Sequence, residues 1–97
     1  LSEPESGDVR AGVDPRLLAF ADAHRLVITC GRGGKHNLGS KHPKGEAFDF
    51  RTRGMTEEFF RELEVDARAK GLLIRDERKR PLHQKVWSGP HGHCEVV

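Results

Sequence analysis

The sequence predicts an α+β fold: a small antiparallel β-sheet flanked by two main helices. Three observations lead there. Two segments carry apolar residues at helical spacing, and several short segments alternate with a period of two. A chain of 97 residues has room for one core only. Hydrophobic residues make up 35% and charged residues 33%, so that core is modest and a bound metal would reinforce it.

Residues 1–13 are polar and rich in Gly, Glu and Ser, and read as an irregular lead-in to a domain spanning 14–97. Asp14-Pro15 marks a helix start, with Asp14 as N-cap and Pro15 at the first helical position. Leu17, Leu18, Phe20 and Ala21 follow at helical spacing, and the helix should end near His24 or Arg25. Leu26 to Cys30 is apolar and β-branched, which predicts a buried strand. From Gly31 to Lys44 there are four glycines and two histidines without apolar periodicity, so a long functional loop is expected.

Glu46 to Arg51 reads as a second strand, placing Phe48 and Phe50 on the core face and Ala47, Asp49 and Arg51 on the other. Thr56 to Lys70 is the clearest helix. Phe59, Phe60, Leu63 and Ala67 form its apolar stripe, Thr56, Glu57 and Glu58 favour its start, and Gly71 supplies the stop. Leu72–Arg75, Gln84–Trp87 and His93–Val97 read as further strands.

Composition excludes some functions. The formal charge is +2, with acids and bases intermixed, so a nucleic-acid footprint of clustered cations is not expected. Even the run from Arg75 to Arg80 is interrupted by Asp76 and Glu77. No apolar stretch approaches the ~20 residues of a membrane span. Cys30 and Cys94 are compatible with a bridge between neighbouring strands and with two half-buried thiols; zinc–cysteine spacings are absent. The chain opens at Leu1 without a signal-peptide pattern, which suggests a trimmed or processed product and leaves export open.

The chemistry concentrates in Ser40-Lys41-His42-Pro43-Lys44-Gly45-Glu46-Ala47-Phe48-Asp49, answered late in the chain by His91-Gly92-His93. A histidine, a carboxylate and a histidine pair suit a zinc ion held by three protein ligands with one position open. Gly45 permits a sharp turn into the strand, and Ala47 leaves space beside Asp49. His91 and His93, two apart on an extended backbone, point to one side. If their strand lies beside that of Asp49, the ligand-bearing faces coincide. No His-Glu-x-x-His helix competes with this arrangement.

The pattern Ser40-x-His42-x-x-Gly45-x-Ala47-x-Asp49 with His91-x-His93 resembles the zinc D-alanyl-D-alanine carboxypeptidases and related peptidoglycan peptidases. Their fold is shared with lysostaphin-type enzymes and the amino-terminal domain of hedgehog proteins. The likeness runs from about Val27 to the carboxyl end, and Ile28-Thr29-Cys30-Gly31-Arg32 looks like the family's Ser-Gly-Tyr-Arg segment with Cys30 for the serine. It implies His42, Asp49 and His93 as zinc ligands. It also implies His91 as general base or transition-state stabiliser, as in members that use the first histidine of His-x-His. Pro90 stands three positions before the last ligand, where other members carry a Glu or Asp base.

Arg32 is the candidate catalytic and substrate-binding clamp for a D-Ala carboxylate, and Ser40 a substrate-binding or loop-supporting hydroxyl. Glu95, on the His93 face by alternation, would support that ligand. His24, His36 and His83 are expected to have no chemical role, and Trp87 to be a core or rim aromatic. The implied protein is a monomeric hydrolase acting on peptidoglycan stem peptides at the cell wall, periplasmic, extracellular or phage-delivered. A non-catalytic zinc-binding module of the same fold, and an interaction domain without metal, are the competing readings.

Overall fold

The computed structural model describes residues 9–32, 41–79 and 89–97. Helix α1, Pro15–Ala23, is capped by the Asp14 carboxylate, which accepts from the Arg16 backbone N–H at 2.8 Å. His24 closes it, with its ring on Phe20 and its Nε2 2.7 Å from Asp66 Oδ2. Arg25 then turns with φ 55°, a left-handed backbone that breaks the path into the next strand.

Strand β1, Ile28–Cys30, is therefore shorter than expected. Among the described strands it lies at the edge of the sheet rather than inside it: Val27 is 51% exposed and Thr29 faces solvent. A 3₁₀ turn, His42–Lys44, interrupts the stretch read as loop, because Pro43 fixes a helical φ after Lys41. Strand β2, Ala47–Phe50, follows. Helix α2, Glu57–Ala69, starts at Thr56, whose hydroxyl accepts from Phe59 N–H at 3.0 Å, and stops before Gly71 at φ 75°. Strands β3, Leu72–Glu77, and β4, His91–Val96, complete the described elements. Val9 and Arg10 are helical, so the lead-in is not irregular throughout. The expected strand 84–87, with Trp87, His83, His36 and Ser40, lies outside the described residues.

The four strands form one antiparallel sheet in the order β1-β2-β4-β3. Alternation along β2, β3 and β4 separates its faces, and an irregularity in β1 sets Ile28 opposite Phe50 and Cys30 opposite Asp49. Phe48, Phe50, Ile74, Leu72 and Cys94 join Leu17, Phe20 and Ala21 of α1 and Phe60, Leu63 and Ala67 of α2 in the core. Phe59 packs against this core only in part. The rings of Phe48, Phe50 and Phe60 stack along it at centroid separations of 5.9 and 6.3 Å. Both helices thus cover one sheet face, and the other is left for polar side chains.

Arg78, in the expected basic run, pairs with Glu57 and Asp76 and lies over the Phe60 ring at 4.4 Å. Among the described residues no helix is long and apolar enough to cross a membrane.

Candidate metal centre

The register of the sheet builds the site. Asp49 lies opposite Cys30 on one side and His93 on the other, and His93 lies opposite Arg75. One row across the sheet therefore carries Cys30, Asp49, His93 and Arg75 on the face away from the helices. Glu77 lies opposite His91, and Ala47 opposite Glu95, on the same face. Gly92, between the two histidines, is required by the other face: a Cβ there would overlap the Phe50 ring.

His42 reaches the row from the 3₁₀ turn. Gly45 ends that turn at φ 75°, and a Cβ at Gly45 would collide with the Gly12 carbonyl, so glycine is needed for both conformation and space. His42 Nε2, His93 Nδ1 and Asp49 Oδ1 then form a nearly equilateral triangle. The separations are 3.2 Å between the two nitrogens, 3.0 Å from His93 to Asp49 and 3.2 Å from His42 to Asp49.

The far nitrogen of each ring sets its tautomer. His42 Nδ1 donates to the Gly31 carbonyl at 2.9 Å, and His93 Nε2 donates to Glu95 Oε1 at 2.8 Å. With those hydrogens assigned, the lone pairs of His42 Nε2 and His93 Nδ1 both face Asp49. Three acceptors directed at one point repel unless a proton or a cation lies among them. Buried His, Asp and Glu side chains of this arrangement could hold a metal ion; Cys30 with His42 and Asp49, and Glu77 with Asp49 and His93, each bring their donor atoms within 4.8 Å.

Without a cation, protons on the ring nitrogens that face Asp49 take that place. Burial pushes the Asp49 carboxyl up, but hydrogen bonds from His42 and His93 and the charges of His42 and His91 hold it well below the usual carboxylate range. Burial lowers the His93 pKa, yet Asp49 and Glu95 raise it overall. The His91 pKa is raised chiefly by its hydrogen bond to Glu77, with Gly89 and Asp49 assisting against burial. Glu95 stays ionised below the ordinary range despite burial, through His93 and Arg75.

His91 flanks the triangle without being part of it. Its Nε2 is 2.8 Å from Glu77 Oε1 and 3.7 Å from Asp49 Oδ2, and its Nδ1 is 2.6 Å from the Gly89 carbonyl. Arg32 is exposed, with its Nε donating to the Pro43 carbonyl at 3.1 Å and its stem against Gly12. It is anchored to the turn that carries His42 rather than to the three donors. Cys30 and Cys94 are not joined in a disulfide. They project to opposite faces of the sheet, and burial with the charge of Glu95 pushes the Cys94 thiol up to about 12.

Glu77 was not anticipated from the sequence. The strand had been expected to end at Arg75, where the charged run begins. With Leu72 and Ile74 on the core face, residues 73, 75 and 77 fall on the site face, so the signal was present. Comparison with protein-family models, characterised proteins and solved structures returned no match.

Proposed function

We propose that this chain is a zinc-dependent peptidase of the hedgehog and D-Ala-D-Ala-peptidase type, with His42, Asp49 and His93 as the ligands. The spacing of the three donors carries the reading. A tetrahedral ion with bonds of about 2.0–2.1 Å needs donors about 3.3 Å apart, and the separations of 3.0–3.2 Å are close to that. Two imidazoles and one carboxylate leave the fourth position for water, the arrangement typical of catalytic rather than structural zinc. Zinc bound there lowers the pKa of a water to roughly 7 and polarises a carbonyl.

The chain's own residues supply the rest. Glu95 holds the His93 ring, and is itself held by Lys41 at 3.3 Å and Arg75 at 3.2 Å. Arg32, on the turn beside His42, offers its guanidinium to a substrate carboxylate, as a stem peptide ending in D-Ala would require. Ser40 is assigned to substrate binding or loop support by the motif alone. The expected substrate is the peptide part of peptidoglycan, cleaved by a monomer at the cell wall as a carboxypeptidase or endopeptidase. Mass spectrometry of muropeptides incubated with the zinc-loaded protein tests this: a mass loss matching one hydrolysed peptide bond is expected, absent in His42→Ala. Unchanged muropeptides would contradict it.

One observation favours a non-catalytic zinc module. Cys30 brings its sulfur within 4.8 Å of donor atoms of His42 and Asp49, and a fourth protein ligand would close the site. Cobalt substitution separates the readings, because a thiolate ligand gives a strong near-ultraviolet charge-transfer band and a hydroxyl at Cys30→Ser does not.

A further inference from the structure

We infer that Glu77, rather than His91, moves the proton in this site, and that His91 is the positioning residue that holds Glu77 in place. This rests on the peptidase reading above. The two side chains are cross-strand partners on the site face, His91 from β4 and Glu77 from β3. Each nitrogen of the His91 ring faces an acceptor, the Gly89 carbonyl at 2.6 Å and Glu77 Oε1 at 2.8 Å. With both nitrogens engaged in these contacts, the ring leaves neither of them turned to a water molecule at the site.

Glu77 is buried, and one of its carboxylate oxygens lies within 4.8 Å of donor atoms of both Asp49 and His93. It thus stands about one water molecule from the point on which the three ligands converge. The other carboxylates have different duties. Asp49 closes the triangle, and Glu95 accepts from the far side of the His93 ring.

The step balances without a further reactant. An O–H bond of the attacking water breaks and its proton passes to a Glu77 carboxylate oxygen. The water oxygen forms a bond to the scissile carbonyl carbon while the π pair moves onto the carbonyl oxygen. On collapse the C–N bond breaks, and Glu77 returns the proton to the leaving amine nitrogen.

The zinc-loaded protein with Glu77→Gln, which keeps size and removes the base, tests the assignment. One zinc per chain by elemental analysis is expected, with kcat on muropeptides reduced about 10²–10⁴-fold. His91→Gln still donates to Glu77 and should retain clearly more kcat than His91→Ala, which a ring acting as base would not allow. Wild-type kcat in Glu77→Gln would overturn the proposal. Loss of zinc in that variant would also overturn it, making Glu77 a ligand.

If the wild type cleaves no muropeptide, the peptidase reading fails, and acetohydroxamate binding to the zinc-loaded protein still decides Glu77. Its N–OH proton needs an acceptor, so Glu77→Gln should bind about tenfold more weakly. Equal affinity would overturn the role.

Discussion

The carboxylates of Asp49 and Glu95 grip the His93 imidazole from its two ends, at 3.0 Å on Nδ1 and 2.8 Å on Nε2. The first contact marks the edge that would face a metal, and the second fixes which nitrogen carries hydrogen and would make the other a better donor. Removing the second should weaken binding without removing a ligand. Glu95→Ala is expected to lower zinc affinity about 10–100-fold, measured by competition with a chromophoric chelator. Glu95→Gln keeps a hydrogen-bond acceptor and should lose less. An unchanged affinity in Glu95→Ala would mean that the His93 tautomer is set by something other than this contact.

At the scale of the elements, the centre depends on β2 and β4 meeting in one register, because a slip of one residue would send Asp49 or His93 to the core face. Gly92 helps fix that register by leaving room for the Phe50 ring on the core face. Gly92→Ala should overpack this point and cost about 1–3 kcal/mol of stability, read from the urea midpoint. A midpoint equal to wild type would show that Phe50 has room to move.

Much of this was legible in the sequence. Asp14-Pro15 and Thr56 announced both helices, and the alternation of Ala47 to Phe50 placed Asp49 opposite the core correctly. His42, Asp49 and His93 were expected together, and they are together. What the sequence did not show came from tertiary placement. The apolar stretch of β1 looked buried, but an edge position leaves Val27 and Thr29 exposed, and composition alone does not distinguish the two. Glu77 was hidden because a run of charges looks like a solvated turn until its strand partner is known.

For the molecule as a whole, the proposed metal centre would link proton binding, metal binding and stability on the polar face. Without metal, His91 and His93 have pKa values above the ordinary 6.5 and Asp49 lies below its ordinary 3.8. The histidine contribution is complete below about pH 6.5 and is lost as pH rises through the elevated values; the Asp49 contribution is present above its ordinary value and is lost as pH falls toward the depressed one. Zinc bound as proposed would require neutral imidazoles at His42 and His93, so protons would compete with it and its stabilisation would grow with pH. The melting temperature of zinc-loaded protein minus that of metal-free protein should therefore increase from about pH 5.5 to about pH 8. A difference that shrinks over this range would contradict the assignment of His93 as a ligand.

The most direct measurement is calorimetric titration of metal-free protein with zinc, for wild type and for His42→Ala, Asp49→Ala and His93→Ala. The account predicts one ion per wild-type chain, and affinity reduced about 100-fold or more in each variant while the circular dichroism of the sheet and helices persists. A wild-type chain that takes up no zinc, or variants that bind it as tightly as wild type, would contradict the account.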